Sequence, residues 1–254
     1  MRSIRFIMPV LLGAAISLSG CSSSTDEEKL AMANMGAQQL YERAKQSMAA
    51  GNFSNAAETL STLDSRYPFG PLSHQVQLDL IYSYYKASKT DETLATIDRF
   101  LRLNPNHSDV DYVRYMRGLT NMDAENNLFQ DLMGIDRADR DPEKSREAFN
   151  DFRKLIEEHP DSKYAADAQK RMVFIKDRLA RYEIAIARFY MRRQAYVAAA
   201  NRGRYVIEHY PNSDQVQQAL EIMVSSYTEL GLEELKQNAM KTLKLNYPDS
   251  DFIS

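Results

Sequence analysis

The stretch AFNDFRKLIEEHP, Ala148 to Pro160, decides how this chain folds. It sets a small residue, Ala148, four positions before a large one, Phe152, and a proline eight positions after that. Proline has no N–H to donate and its ring clashes with the preceding turn, so it stops a helix. Four other places end the same way: SRYP at Pro68, RLNP at Pro105, EHYP at Pro211 and LNYP at Pro248. The five prolines are 37, 55, 51 and 37 residues apart. Taking 37 as the base, the two longer gaps carry 18 and 14 extra residues. A constant period with two insertions marks a helical-repeat array.

The residues fit the tetratricopeptide pattern, a small residue, a large one and a terminal proline. Ala56, Leu60 and Pro68 fill it in the first repeat; Thr93, Ile97 and Pro105 in the second. Ala148, Phe152 and Pro160 fill it in the third; Ala199, Gly203 and Pro211 in the fourth; Lys236, Met240 and Pro248 in the fifth. On the first helix of each pair, Ala187 with Tyr190 fits the small-x₂-Tyr slots, Tyr84 and Tyr227 the tyrosine slot, and Gly118 the small slot. Gly51-Asn52-Phe53 and Gly231 read as turns between paired helices. The expected fold is all-α: a helical-repeat superhelix of about five tetratricopeptide-like helix pairs, with insertions in repeats three and four. The approximate repeats are 36–70, 73–107, 109–161, 162–212 and 214–248. One pair cannot bury its own apolar face, so pairs must stack.

The 18 extra residues fall in ENNLFQDLMGIDRADRDP, Glu125 to Pro142. Leu128, Phe129, Leu132 and Met133 predict a short helix with one apolar edge. This segment is expected to tuck onto the concave face or cap a groove there. Asp136, Asp139 and Asp141 lack the alternate spacing and the sixth-position glycine of a calcium loop, so no metal is expected. The 14 extra residues lengthen the first helix of repeat four, from about Ser162 to Arg192.

The N-terminus reads differently. Arg2 and Arg5 precede an uncharged run, Phe6 to Gly20, that contains Pro9. That is the layout of a cleaved signal peptide, and the run is shorter than the roughly 20 apolar residues a membrane helix needs. It ends Leu18-Ser19-Gly20-Cys21, which resembles the bacterial lipoprotein box. Cys21 is the one cysteine of the chain and cannot close an intramolecular disulfide. The expectation is a signal peptide over 1–20, a lipidated flexible tether over 21–35, and the solenoid over 36–254. The lipid on Cys21 would be the one covalent addition, with more than one acyl chain needed for a stable hold. In similar lipoproteins an Asp after the cysteine favours the inner membrane; Ser22 stands here, which implies the periplasmic face of the outer membrane.

From Cys21 onward, 30 basic residues face 35 acidic ones, a formal charge of −5. Nothing in this suggests nucleic acid, which needs a basic face. His159 and His209 precede repeat-ending prolines and suit helix C-termini. His74 and His107 have no partner at metal-ligand spacing in the sequence. There is no HExxH, no GxSxG and no phosphate-binding glycine loop. Glu157 and Glu158 sit at a helix end where a solvated face is the expected reading. No enzyme and no cofactor are expected. The residues themselves lead to a membrane-anchored adaptor with a long surface for extended peptides or partner domains.

RYPFGP (Arg66–Pro71), QVQLDLIYSYYK (Gln75–Lys86), IDRFLRLNP (Ile97–Pro105), DYVRYMRGLTNM (Asp111–Met122) and DRADRDP (Asp136–Pro142) resemble the BamD/YfiO/ComL family of lipoproteins. That family belongs to the outer-membrane β-barrel assembly machinery. The resemblance covers nearly the whole chain and is looser in its C-terminal third. It implies a non-enzymatic scaffold that binds the barrel subunit BamA, other lipoproteins of the complex, and unfolded outer-membrane proteins. It implies a surface for the substrate's C-terminal signal at Tyr67, Phe69, Tyr82 and Tyr85, and a BamA surface at Arg192, Arg202 and Arg204. Arg202 stands in the family's Asn-Arg pair, whereas Arg204 departs from the family pattern. RYPFGP has a purely structural reading as well: Pro68 ends a helix and Phe69 packs between repeats. Two rival functions are a periplasmic adaptor that recruits cell-wall enzymes, and a lytic transglycosylase. The second needs a catalytic domain, and only Asp249 to Ser254 follow the last repeat.

Overall fold

Five helix ends share one conformation. Tyr67, Asn104, His159, Tyr210 and Tyr247 each precede a repeat-ending proline, with φ between −129° and −137° and ψ between 49° and 65°. The proline ring forbids the helical conformation to the residue before it, so each helix stops at the same step. Each of these residues still donates its N–H to a carbonyl four residues back, at Leu63, Phe100, Leu155, Val206 and Leu243. Those five residues are apolar and at most 2% exposed. They form a further slot of the repeat, five residues before the proline, beyond the small and large slots read from the sequence.

The computed structural model describes residues 32–130 and 142–253, the side chains of 126–130 excepted. It holds five helix pairs: α1 (Ala37–Ala49) with α2 (Phe53–Arg66), α3 (Ser73–Lys86) with α4 (Thr90–Leu103), α5 (Val110–Gln130) with α6 (Glu143–Glu158), α7 (Ala165–Arg192) with α8 (Tyr196–His209), and α9 (Val216–Glu229) with α10 (Glu233–Asn246). A 3₁₀ turn at Asp251–Ile253 follows. No described helix is long and apolar enough to cross a membrane. Residues 1–31, including the expected signal peptide, Cys21 and most of the tether, lie outside the described residues.

Each second helix packs on its own first helix, and those of the first four pairs pack on the first helix of the next pair as well. First helices also touch one another, α3 against α5 and α7 against α9. The first helices therefore form one layer and the second helices the other, as in a stacked solenoid.

The turns inside pairs also repeat. Gly51, Ser88, Gln194 and Gly231 follow α1, α3, α7 and α9 with φ of 76°, 58° or less, and 68° for the last. The next residue's N–H reaches back to Ser47, Tyr84, Tyr190 and Tyr227 at 2.8–3.0 Å, closing a Schellman motif each time. Glycine occupies this left-handed position without strain, and here Ser88 and Gln194 adopt it with a side chain.

The insertions depart from expectation in their start points. The first six residues of the repeat-three insertion do not form a separate short helix. They extend α5, which runs 21 residues where α3 and α9 run 14. Leu128 and Phe129 thus lie in α5, while Leu132, Met133 and the three aspartates fall outside the described residues. In repeat four, α7 runs 28 residues without a break and begins at Ala165, three residues after the expected Ser162.

The two halves of α7 have different cores. Ala168, Ile175 and Leu179 join Ala148, Phe152 and Leu155 of α6. Ala180, Ile184 and Ala187 join Ala199, Val206, Ala219 and Ile222 of α8 and α9. The boundary falls between Leu179 and Ala180. Helices before it form lobe one and those after it lobe two, with Tyr210 packed against both cores. Gly118 shows how tight lobe one is: a Cβ there would lie 2.7 Å from Phe152 Cδ1. In the fifth repeat the buried residues are Ala239 and Leu243, whereas Lys236 and Met240 are only half-buried.

Candidate functional site

The inner layer carries a series of tyrosine–aspartate bonds, each joining one first helix to the next. Tyr41 on α1 donates to Asp79 Oδ2 on α3 at 2.9 Å, and Gln75 donates to the other oxygen of Asp79 at 3.0 Å. Tyr85 on α3 donates to Asp123 on α5 at 2.7 Å. Tyr115 on α5 donates to Asp167 on α7 at 2.5 Å, where Arg171 Nε also donates at 2.5 Å. Burial, then the carboxylate partner, pushes the Tyr41 hydroxyl up to about 12. The same causes, in the same order, raise Tyr85 and Tyr115. The hydrogen bonds from Tyr115 and Arg171 hold the Asp167 carboxyl below the usual carboxylate range. Tyr164 stacks on Tyr115 at 4.8 Å and tilts against Tyr112 at 5.8 Å, which continues the aromatic lining. Chemically this strip offers ring faces for stacking and carboxylate oxygens with acceptor sites left over.

Of the four expected signal-binding residues, Tyr85 belongs to this strip. Tyr82 lies one turn away, edge-on to Phe53 at 5.7 Å, with Lys86 Nζ 5.6 Å from the same Phe53 ring. Both tyrosines pack against the core shared by α3, α4 and α5. Tyr67 and Phe69 sit at the opposite end of α3, in the turn that leads into Ser73. Nine residues of helix separate Ser73 from Tyr82, about 14 Å along the axis. The structure therefore yields two aromatic groups, not one. Phe69 is 90% exposed, which overturns the reading in which it packs between repeats. Gly70, with φ of 141°, turns the chain behind it. Tyr67 is partly exposed and carries the Arg66 guanidinium 5.5 Å from its ring centre.

The three arginines are also divided. Arg202 and Arg204 are two residues apart on α8, about 200° around the helix, and so face opposite sides. Arg202 turns inward and pairs with the buried Glu183 of α7 at 2.8 Å. That hydrogen bond, chiefly, raises the Arg202 guanidinium above its ordinary value. Arg204 points outward, 3.8 Å from Glu208 and bonded to Asn201 at 3.2 Å. Arg192 is exposed at the last residue of α7.

Other sequence candidates resolve simply. Glu158 pairs with Arg114 at 2.5 Å, and Glu157 lies 3.5 Å from Arg153, which fits a solvated helix end. His159 is the residue after α6, and His209 closes α8 with its ring stacked on Tyr205 at 3.9 Å. His74 and His107, distant in sequence, meet with ring centres 4.8 Å apart. No group of three or more potential metal ligands occurs among the described residues. No local signal marks Tyr41, Tyr115 or the three aspartates, because their partners lie 38 or 52 residues away.

Comparison with known proteins adds to this geometry. Residues 33–243 match the family model YfiO, described as an outer membrane lipoprotein. An outer membrane protein assembly factor BamD from Vibrio cholerae serotype O1 is 47% identical over 229 residues, covering 90% of this chain and 93% of its own. The protein of the same description from Neisseria meningitidis serogroup A is 36% identical over 250 residues, covering 98% and 94%. Among solved structures, a tetratricopeptide repeat protein from Parabacteroides merdae overlaps 82% of this chain and 78% of its own, with 15% identity and a TM-score of 0.39. The family match spans all five helix pairs, and the chain belongs to the YfiO/BamD family of outer membrane lipoproteins.

Proposed function

We propose that this chain is a non-enzymatic scaffold of the outer-membrane β-barrel assembly complex, held on the periplasmic face of the outer membrane by lipid on Cys21. The observation that carries the proposal is the 47% identity, over 90% of the chain, to a protein named as an outer membrane protein assembly factor. In this reading the solenoid joins BamA and neighbouring lipoproteins to unfolded outer-membrane proteins. Lobe one receives the substrate's C-terminal signal, and lobe two holds the periplasmic domain of BamA.

Two features of the structure support that division. Phe69 stands almost free of its own fold, as an aromatic anchor for a partner must. The inner strip places Tyr85 and its neighbours on rigid helices, where an extended chain can stack and hydrogen-bond. In lobe two, Arg192 and Arg204 are among the exposed cations that an acidic partner surface could meet. Arg202 has its main partner within the chain, so it contributes by holding α8 on α7 as well as by any outside contact.

Binding of the mature chain, with Cys21→Ser, is the test. Two titrations are needed: one with the periplasmic domains of the cognate BamA, one with a peptide ending in an outer-membrane protein's C-terminal signal. Phe69→Ala is expected to weaken peptide binding about tenfold, the loss of ~1.4 kcal/mol that separates an aromatic anchor from a neutral contact, and to leave BamA binding unchanged. Arg204→Glu is expected to do the reverse. Arg202→Glu is a poor first choice, because it would leave Glu183 buried beside a second negative charge. No binding of either partner by a folded chain would remove the proposal and favour a cell-wall adaptor.

A further inference from the structure

We propose that α7 is a hinge between the two lobes, with a lock on one side and a cleft on the other. The inference does not depend on which partners bind. It starts from the division of α7 between two cores at Leu179 and Ala180. The hydrophobic core of lobe one takes only the first half. Parallel helices α5 and α7 are pinned at two points, Tyr115 to Asp167 and Glu125 to Arg178. These pins are ten positions apart on α5, about 15 Å.

The upper pin is the lock. Glu125 and Arg178 meet at 3.0 Å with side chains only 10% and 13% exposed. Ser145, at the start of α6, donates its hydroxyl to Glu125 as well. Three helices thus converge on one buried carboxylate, at the last point before the α7 core changes. Such a pair is costly to break singly, because the remaining charge is buried without its partner. Beyond it, the Arg146 guanidinium of α6 lies 5.8 Å from the Tyr182 ring of the second half.

The opposite flank is open. A cavity of about 170 Å³ separates Val173, Lys176 and Asp177 of α7 from the Tyr210–Asp214 turn of lobe two. Across it, Ser213 Oγ donates to Asp177 Oδ1 at 3.1 Å. Val173 stands 64% exposed on that flank, and Tyr210, which packs against both cores, forms part of the far wall. A bend of α7 near Leu179 can narrow or widen this space, with Tyr210 shifting between the two cores it touches. The Glu125–Ser145–Arg178 cluster sets where in that range the molecule rests.

The test is a distance distribution between the lobes. Spin labels on non-natural residues replacing Lys45 on α1 and Lys241 on α10 would be read by pulsed electron resonance in the full mature chain. Both positions are exposed. The native chain should give one narrow distribution. Glu125→Gln should broaden or shift it, and the double exchange Glu125→Arg with Arg178→Glu should restore it. Ser213→Ala, an outer-flank change with little effect on folding, should broaden it toward wider separations. Tyr41→Phe, which removes an inner-layer bond within lobe one, should leave it unchanged. Unchanged distributions in Ser213→Ala and in folded Glu125→Gln would overturn the hinge. So would a Tyr41→Phe effect as large as theirs. If Glu125→Gln does not fold, Ser213→Ala against Tyr41→Phe decides the matter alone.

Discussion

Helices α3 and α7 each stand between two hydrophobic cores, but they serve them differently. In α3, Val76 and Leu80 join the first core while Leu78 and Ile81 join the second. Both cores meet the same two turns, on different sides of one 14-residue helix. In α7 the two cores follow one another along 28 residues, with no turn shared. A helix gripped around its circumference transmits any displacement of one core directly to the other. A helix gripped end to end can bend between its grips. One chain thus contains a rigid junction and a compliant one, made from the same repeat.

The largest expected effect separates the two junctions. Phe152→Ala and Phe100→Ala each empty a fully buried ring, which costs about 3–5 kcal/mol. Followed by native-state hydrogen exchange, Phe100→Ala should lower protection in α1 and α2 as well as in α4 and α5, because α3 carries both cores. Phe152→Ala should lower protection in α6 and the first half of α7 while α9 and α10 keep theirs. Equal loss in α9 and α10 would mean that α7 does not insulate the lobes.

A smaller effect tests the lower pin between α5 and α7 and depends on pH. The folded-state pKa of Asp167 is lowered, first by its hydrogen bond from Tyr115. A lowered carboxyl stabilises the fold above its unfolded value, about 3.9 for Asp. That contribution disappears as pH falls through the lower folded value. Tyr115→Phe should therefore cost about 1 kcal/mol near pH 7, and its cost relative to the native chain should shrink toward zero in strong acid. Urea unfolding of both chains at neutral and acidic pH reads this difference. A cost independent of pH would assign the loss to packing against Tyr164 instead.

The smallest effect asks whether the two helices at least end alike. Ser88 closes α3 and Gln194 closes α7, both left-handed within the same Schellman motif. Glycine at either position should stabilise the chain by roughly 0.5 kcal/mol, since it removes the strain of a side chain at positive φ. Thermal melts of Ser88→Gly and Gln194→Gly should shift upward by similar amounts. Unequal shifts would show that the compliant helix is held differently at its C-terminal end.

These distinctions were legible in the sequence to different depths. The repeat was readable because proline, alanine and a large apolar residue recur at fixed offsets, and each has a local physical effect. The slot at Leu63, Phe100, Leu155, Val206 and Leu243 was equally visible but lies outside the pattern used to find the repeat. In the fifth repeat the pattern placed Lys236 and Met240 at buried slots, while burial went to Ala239 and Leu243. The extension of α5 was hidden by the expectation of a turn; no glycine or proline interrupts Asp123 to Gln130, so the helix continues. Arg202 and Arg204 were read together as neighbours in sequence, although a spacing of two sets them on opposite sides of a helix. The tyrosine–aspartate pins and the Glu125–Arg178 lock join residues 38 to 53 positions apart, and no local periodicity announces them.

The length of α7 carries one more consequence. Fourteen extra residues turn a helix through about 1,400°, only about 40° short of four complete revolutions. Lobe two therefore leaves the helix on nearly the azimuth it would have had without the insertion, but about 21 Å further along the axis. Ten or twelve extra residues would have swung it by a large angle instead. The reach between the two ends of this molecule is thus a stepped variable. It can grow in whole-turn increments during evolution, or by design, while the angular relation of its two lobes is kept.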